Sequence, residues 1–170
     1  MKKLTLLALL FLFSCASKLP PLKKVEYVDV PRFMGQWYVI ASIPTFIEKG
    51  AHNAVETYTL NDKEKRIDVY FTFNKDSFEG KKKEYTQKAF VQDSSGNDWR
   101  IQFFWPFKFP YLILDLDKDY TYTAIGVPNR NYVWIMAREK TLPEATYNEI
   151  LRRLKDQQYD IGLIEKVPQK

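Results

Sequence analysis

The sequence is poor in the residues on which common catalytic and metal sites depend. Among its 170 residues there are one cysteine, one histidine and only six glycines. A Ser-His-Asp or Cys-His site would need the single histidine, His52, which falls in a predicted loop. The sequence contains neither a glycine-rich phosphate loop nor a cluster of metal-ligand residues. It therefore predicts a protein that is not an enzyme and that needs no metal or cofactor.

The chain also lacks an apolar run long enough to cross a bilayer. Its one such run, residues 4–13, would span about 15 Å as a helix, which is about half of a bilayer core. Two lysines precede it, and this pattern is typical of a signal peptide. Residues 12–15, with the letters LFSC, resemble a bacterial lipobox, in which the cysteine is acylated and becomes the first residue of the mature chain. The alternative is a chance cysteine in a discarded signal.

Acylation of Cys15 would explain why the chain has a single cysteine. An exported protein with one thiol cannot form an internal disulfide, whereas several acyl chains on one residue would hold it firmly in a membrane. Ala16 stands where an aspartate would resemble the signal for retention in the inner membrane. The resemblance therefore implies the outer membrane of a double-membraned bacterium, with the folded domain facing the periplasm.

Charge of one sign is not in large excess. The 26 basic and 21 acidic side chains give a net charge of +5, and removal of residues 1–14 with their two lysines leaves +3. So small an excess gives no support to nucleic-acid binding. Residues 15–27 contain two prolines and three lysines and predict an extended, lipidated tether. Residues 28–170 then form one domain of ordinary size.

The domain is predicted to consist mainly of β-strands. The clearest is 66–73, in which Ile67, Val69, Phe71 and Phe73 occupy every second position. Turn signals separate eight such segments, at 36–43, 54–60, 66–73, 84–92, 98–104, 111–116, 121–127 and 132–138. Their short links indicate an antiparallel meander, and eight strands can close into a barrel without free edges.

After the eighth predicted strand, the spacing of apolar residues changes from every second residue to that of a helix. Residues 141–144, Thr-Leu-Pro-Glu, have the spacing of a capping box with proline in the first turn. Apolar residues then recur at helical spacing from Tyr147 to Leu154, which predicts one amphipathic helix through about Gln157, packed on the outer wall. Residues 161–167 predict a short last strand.

Several stretches together resemble the lipocalin family. Residues 35–38, Gly-Gln-Trp-Tyr, resemble its first motif, residues 116–120 its second and residues 133–138 its third, while residues 101–107 resemble its fifth strand and turn. The resemblance covers about residues 26–167 and is closest to the bacterial outer-membrane lipocalins and their animal relative apolipoprotein D. It implies an all-β fold, an eight-stranded antiparallel up-and-down calyx barrel with one C-terminal α-helix packed outside.

The motif residues are expected to be structural. The resemblance to lipocalins implies that Gly35 permits the backbone turn under the barrel and that Trp37 fills the closed end of the barrel. Arg138 would pack on the indole ring as a cation–π partner. None of the three is expected to bind ligand.

A calyx of eight strands has room for one small ligand. Alternation along the strands places Val39 and Ala41 inward with Trp37, and Trp134 and Met136 inward with Arg138. The apolar face of the third strand joins them, and the resemblance to apolipoprotein D adds Tyr58, Leu112 and Leu114 opposite Ile101 and Phe103. The predicted ligand-binding residues are Val39, Tyr58, Val69, Phe71, Phe103, Leu112, Leu114, Trp134 and Met136. The alternative is that they fill a solid core.

One charged residue shares the phase of this lining. Glu56 has the same orientation as Tyr58, and a carboxylate in an apolar interior should be protonated or paired. The pairing partner could be an amine-bearing head group. A local twist that turns Glu56 outward is the alternative.

The loops expected at the open end are basic and aromatic. The predicted rim residues are Lys81, Lys82, Lys83, Trp105, Lys108 and Arg130, whereas the loops at the other end are rich in aspartate. This gradient favours an amphiphile with an apolar tail and an anionic or phosphate head, such as a fatty acid or a lysophospholipid. Two alternatives stay open: the lysines face an anionic membrane, or the protein is an envelope scaffold with a filled barrel. The oligomeric state is not indicated.

Overall fold

The computed structural model describes residues 19–170, so the predicted signal peptide and Cys15 lie outside the described residues. The strands are β1 Gly35–Ile43, β2 Ala51–Asn61, β3 Arg66–Lys75, β4 Lys82–Val91, β5 Asp98–Phe104, β6 Phe107–Leu116, β7 Tyr122–Gly126, β8 Val133–Ala137 and β9 Glu165–Lys166. Strand β1 pairs with both β2 and β8, which closes an antiparallel sheet into a barrel. The predicted eight-stranded up-and-down barrel is confirmed, and β9 adds a ninth strand beside β1.

The two ends of the barrel differ because successive strands alternate in direction. The connections β1–β2, β3–β4, β5–β6 and β7–β8 lie at one end, here called the open end, and the others lie at the closed end. Strands β2 and β6 begin at Ala51 and Phe107, earlier than predicted, so both reach farther toward the open end. The first residue of β2 pairs with Lys75 of β3, a long-range pairing that leaves no mark in the local sequence. The first residue of β6 pairs with Phe104 across the β5–β6 hairpin.

Strand β3 shows the residue pattern that builds the barrel wall. Ile67, Val69, Phe71 and Phe73 are buried, whereas the residues between them are at least partly exposed. Side chains alternate between the faces of a strand, so one face of β3 fills the interior and the other faces solvent. The predicted inward orientation of these four side chains agrees with their place in the interior cluster.

Helix α2, Glu144–Asp156, covers part of the outer wall. Its buried face consists of Tyr147, Ile150 and Leu154. These side chains form one cluster with residues of β1, β6, β7 and β8, which confirms the predicted helix outside the barrel. The N-cap is Pro143, without a side-chain hydrogen bond, so the predicted capping box does not form. Within residues 19–170, no helix combines the length and apolar character that crossing a bilayer requires.

A β-bulge in β1 changes which of its side chains face inward. Val39 pairs with Met136 but Ala41 pairs with Ile135, so Ile40 is an extra residue in β1. An extra residue reverses the alternation beyond it. Val39 therefore packs in the interior, and Ala41 packs in the cluster beneath α2. The predicted inward orientation of Ala41 is wrong for this reason.

Strand β6 is apolar on both faces, and this decides where two predicted site residues lie. Tyr111 and Ile113 pack in the interior cluster, whereas Leu112 and Leu114 pack in the cluster with α2. The structure thus corrects the inward orientation predicted for Leu112 and Leu114. Because α2 buries the outer face as well, β6 lacks the alternation of polar and apolar residues that marks the inward face elsewhere.

The segment before the short helix α1, Val30–Phe33, was predicted as a tether but lies along the barrel from about residue 20. The backbone N–H of Val25 donates to the carbonyl oxygen of Ile113 at 3.0 Å. Arg130 is 8% exposed, and its guanidinium donates to the carbonyl oxygens of Pro20, Pro128 and Gln157. Arg130 was predicted as a rim cation. The structure corrects this, since its charge is buried and engaged in holding the N-terminal segment against the end of α2.

The C-terminal residues close the seam between β1 and β2. These strands pair only at residues 35–38 of β1, and β9 pairs with β1 farther along. The side-chain amide of Gln169 donates to the carbonyl oxygens of Val39 and Ala54, at 2.7 and 3.0 Å. The strand predicted at 161–167 is therefore reduced to β9, followed by a tail that bridges the seam.

Candidate functional site

An aromatic plug fills the closed end of the barrel. Helix α1, Val30–Phe33, ends in Phe33, whose ring centroid lies 4.9 Å from that of Trp37. The guanidinium carbon of Arg138 lies 3.8 Å from the Trp37 ring centroid, which is a cation–π contact, and the group donates to four backbone carbonyl oxygens. Gly35 has a φ of 97°, a conformation that favours glycine. The structure places all three motif residues in the plug, away from the open end.

Aromatic side chains occupy the interior next to the plug. The rings of Phe33, Tyr58 and Trp99 pack edge to face, with centroids 5.2 to 5.9 Å apart. Tyr111 extends the stack, with centroids 6.1 Å from Trp99 and 5.8 Å from Trp134. The stack therefore runs from the closed end to Trp134 on β8.

A small cavity lies at the open end, beyond this stack. Its volume is about 20 Å³, which is room for about one water molecule. The lining residues are Thr45, Ile47, Glu48, Glu56, Phe71, Gln87, Phe103, Tyr111 and Trp134. Three of the predicted ligand-binding residues, Phe71, Phe103 and Trp134, are thus brought together there.

The other predicted ligand-binding residues lie away from this cavity. Val39, Tyr58, Val69 and Met136 are buried in the interior cluster but do not contribute to the cavity lining. Leu112 and Leu114 lie on the outer face, beneath α2. Ligand contact by the four interior residues stays a prediction. Leu112 and Leu114 face away from the interior.

Several lining residues were missed by sequence reasoning. Gln87 shares the inward phase of β4 with Ala89, so strand alternation carried a signal for it. The inward orientation of Tyr111 could not be predicted, because both faces of β6 are apolar. Thr45, Ile47 and Glu48 belong to the β1–β2 loop, which the predicted strand order places at the open end. No periodic pattern in the loop indicates that these side chains line the cavity.

Glu56 forms a buried acidic wall of the cavity. The residue is 5% exposed, and its Oε2 atom accepts hydrogen bonds from the hydroxyls of Tyr58 and Tyr111. Burial raises the pKa of Glu56 to about 7; the Tyr58 hydrogen bond opposes the rise and repulsion from Glu48 adds to it. The side chain therefore points inward, and its charge changes near neutral pH.

A second carboxylate, Glu48, reaches the cavity from the β1–β2 loop. Its Oε1 accepts a hydrogen bond from the indole Nε1 of Trp134 at 2.8 Å. Its Oε2 accepts from the hydroxyl and from the backbone N–H of Thr45, the latter at 2.9 Å. These bonds hold residues 44–50 across the open end and tie them to β8.

The rim of the open end exposes large aromatic side chains. In the β5–β6 hairpin, Phe104, Trp105 and Phe107 are 60%, 85% and 57% exposed, and Phe46 of the β1–β2 loop is 85% exposed. Isolated exposed apolar residues are common, but contiguous ones mark contact surfaces. The predicted aromatic character of the rim is present.

The rim lysines have different environments. Lys81, Lys82 and Lys108 are exposed, whereas Lys83 is half-buried on the inward phase of β4. Lys82 forms an ion pair with Glu84 at 2.6 Å, and the Nζ of Lys108 lies 3.5 Å from the Phe90 ring centroid. The positive charges at the open end are therefore solvated and partly paired.

Within residues 19–170, the single histidine has no partner typical of catalysis. The Nδ1 of His52 lies 3.1 Å from the carbonyl oxygen of Gly50, and its ring packs edge to face on Phe78 at 5.1 Å. A triad histidine instead contacts a carboxylate and a nucleophile. In the part of the chain that the structure describes, no group of three or more histidine, cysteine or acidic residues is placed to hold a metal ion.

The chain resembles known proteins over most of its length. Residues 28–169 match the lipocalin-like domain family. The chain is 31% identical over 155 residues to temperature-induced lipocalin-1 of Arabidopsis thaliana, covering 85% of this chain and 81% of that one. It is 29% identical over 140 residues to outer membrane lipoprotein Blc of Citrobacter freundii, with coverages of 81% and 78%. Insecticyanin of the tobacco hornworm Manduca sexta shares the fold, with a TM-score of 0.67 at 18% identity over 87% of this chain and 84% of that one.

Proposed function

The chain belongs to the lipocalin family, and we propose on this basis that it is a lipid-binding lipoprotein of a bacterial outer membrane. Lipocalin-type binding of a small ligand follows from the family. The proposed ligand is a fatty acid or a lysophospholipid, held for storage or transport in the cell envelope. The observation that carries the proposal is the cavity at the open end, where Phe71, Phe103 and Trp134 meet behind an aromatic and basic rim.

Anchoring through Cys15 is the second part of the proposal. It is supported by the lipobox resemblance of residues 12–15 and by the relative in Citrobacter freundii, whose name is outer membrane lipoprotein. Residues 1–14 would be removed, and the barrel would lie in the periplasm. Growth with labelled palmitate should label the protein but not its Cys15→Ser variant. Equal labelling of both proteins would contradict the anchor.

An acyl tail requires side chains at the open end to move. A cavity of about 20 Å³ holds no alkyl chain, so Trp134, Phe103 and the β1–β2 loop must shift when a tail binds. Glu48 holds that loop to Trp134, which makes release of this hydrogen bond the first step of opening. We therefore expect binding to couple to a rearrangement of residues 44–50.

The energy available from tail burial is sufficient for such a rearrangement. Ten methylenes at about 0.8 kcal/mol each would contribute about 8 kcal/mol. That value corresponds to a dissociation constant of about 1 μM, before the cost of ordering the ligand and moving the loop. Observed affinities should therefore lie in the micromolar range or weaker.

Displacement of a fluorescent fatty acid tests the proposal. Dodecanoate and a lysophospholipid should displace the probe at micromolar concentration and should change the tryptophan fluorescence through Trp134. The change should be lost in Trp134→Phe but kept in Trp105→Phe, whose tryptophan is replaced on the exposed rim. If no lipid amphiphile displaces the probe, lipid binding is wrong for this protein.

The close packing of the interior favours one other function. A barrel with so small a cavity would also suit an envelope scaffold that binds other proteins and carries no ligand. Extraction of the protein purified from its native membrane, followed by mass spectrometry, separates the two. About one lipid per barrel supports the carrier, whereas lipid-free protein with a co-purified protein partner supports the scaffold.

A further inference from the structure

The cavity at the open end has acidic walls and no basic partner. Glu48 and Glu56 are its only charged lining residues, and they are 9% and 5% exposed. Buried carboxylates are normally paired with a cation or fully hydrogen-bonded. No lysine or arginine within residues 19–170 lines this cavity, so a counter-charge is not supplied by the described protein.

Unpartnered polar groups face the same cavity. Gln87 is 8% exposed and lines the cavity, and its side-chain amide forms no hydrogen bond with another residue of the described range. Both hydrogen bonds to Glu56 reach Oε2, so Oε1 is left without a protein donor there. Neither group is fully enclosed, because the fully buried side-chain atoms without a partner in residues 19–170 belong to Asn97 and Gln169. Both groups are therefore accessible to a ligand that enters the cavity.

The remaining walls are aromatic. Phe71, Phe103, Tyr111 and Trp134 surround the polar groups. Aromatic rings attract cations through their electron-rich faces, and the attraction grows when the cation is desolvated. Carboxylates and aromatic rings together form the surroundings that suit an ammonium group.

We propose that this cavity is a subsite for a protonated amine carried by an amphiphile, with the ammonium group between Glu48 and Glu56. The amide oxygen of Gln87 and Oε1 of Glu56 accept hydrogen bonds from it. The inference rests on the proposed function, because the apolar part of the ligand occupies the space that opens toward the rim. A fatty acid binds with the opposite orientation, since its carboxylate is repelled by the two acids and stays at the rim.

Other titratable groups near Glu56 do not neutralise the pair. Tyr58 and Tyr111 donate to Glu56, and burial raises the pKa of both hydroxyls well above its usual value, so they remain neutral donors. Lys83 lies on the inward phase of β4, two inward positions nearer the open end than Gln87. It stands outside the cavity lining and faces the outer part of a bound ligand.

Three probes with the same tail and different heads, dodecylammonium, dodecanol and dodecanoate, test the subsite at pH 8. Calorimetric titration should show dodecylammonium binding about tenfold or more tighter than dodecanol. Glu56→Gln and Glu48→Gln should each reduce the ratio of the two affinities to about threefold or less. Glu79→Gln, which removes a carboxylate at the same end but outside the cavity, should keep the full preference.

A second measurement remains informative if a variant is unstable. Carbon-detected NMR of the wild-type protein should show that dodecylammonium lowers the pKa of Glu56 by about one unit or more, whereas dodecanol does not. If dodecanol or dodecanoate binds as tightly as the amine, the amine subsite is wrong and the lipid-binding function stands. If none of the three probes binds, the amine subsite is wrong, and if a lysophospholipid also fails to bind, the lipid-binding function is wrong as well.

Discussion

At the scale of single residues, Glu56 makes the stability of the barrel depend on pH. Its pKa is about 7 in the folded protein, against a usual value of 4.5. The folded state therefore binds more protons than the unfolded state between these values, and the free energy of unfolding falls as the pH rises from 4.5 to 7. The loss amounts to roughly 3 kcal/mol and levels off above pH 7.

Urea denaturation at pH 5 and pH 8 measures this effect. The decrease in stability between the two pH values should be smaller in Glu56→Gln than in the wild-type protein, because glutamine does not titrate. Glu64→Gln, an exposed change in the β2–β3 turn, should keep the wild-type decrease. The same pH dependence in all three proteins would show that Glu56 is not the buried titrating group.

Arg138 provides a second prediction at this scale. Arg138→Lys keeps the charge but loses the planar fork, and carbonyl oxygens around the plug then lack their donor. We expect the free energy of unfolding to fall by about 2 kcal/mol. Arg152→Lys, on the exposed face of α2, should change it by less than about 1 kcal/mol. Equal losses by urea denaturation would contradict a structural role of the guanidinium in the plug.

At the scale of elements, the C-terminal tail substitutes for a missing part of a strand pair. Truncation after Lys166 removes Val167, whose N–H donates to the carbonyl oxygen of Ile40, together with Gln169 and its two acceptors on β1 and β2. We expect a loss of about 2 kcal/mol of unfolding free energy. Hydrogen exchange should become faster in β1 and the first half of β2.

A shorter truncation serves as the control for the tail. Removal of Lys170 alone leaves the contacts of Val167 and Gln169 intact and should have little effect on exchange in β1. If truncation after Lys166 leaves β1 as protected as in the full chain, the tail does not seal the barrel. Faster exchange in β6 and β7 as well would indicate general destabilisation instead of a local opening.

At the scale of the whole molecule, charge is distributed unequally between the two ends. Replacement of Lys81, Lys82 and Lys83 by glutamine should weaken dodecanoate binding several-fold and dodecanol binding little, because solvated charges steer and select more than they tighten. The difference should shrink in high salt, which screens such charges. Titrations at low and high ionic strength measure both effects.

Lysines at the closed end provide a matched control for this experiment. Replacement of Lys63, Lys65 and Lys118 by glutamine makes the same change in net charge, far from the cavity. Dodecanoate affinity should then stay close to that of the wild-type protein. An equal loss in both triple variants would show that net charge, and not the rim, governs the selection of anionic heads.

Much of the architecture could be predicted from the sequence because it depends on local pattern. Alternation in β3 identified both the strand and its inward face, and the helical spacing from Tyr147 to Leu154 identified α2 and its buried face. The motif around Gly35 and Trp37, together with Arg138, indicated the family and the plugged end. In each case the signal lies between residues that are neighbours in the chain or in one element.

The tertiary structure decided the features that depend on distant parts of the chain. The bulge at Ile40 orients Ala41 outward. Leu112 and Leu114 pack against α2 on the outer face. Arg130 is buried and binds the N-terminal segment through the carbonyl oxygen of Pro20. The size of the cavity likewise could not be predicted from the sequence. The same holds for the contact of Glu48, Glu56 and Gln87 with one cavity. Periodicity along the chain determines which elements form and which face of each is apolar. How closely the opposing side chains fill the space between strands follows only from long-range packing, so the sequence determined the barrel, and the fold determined what room is left inside it.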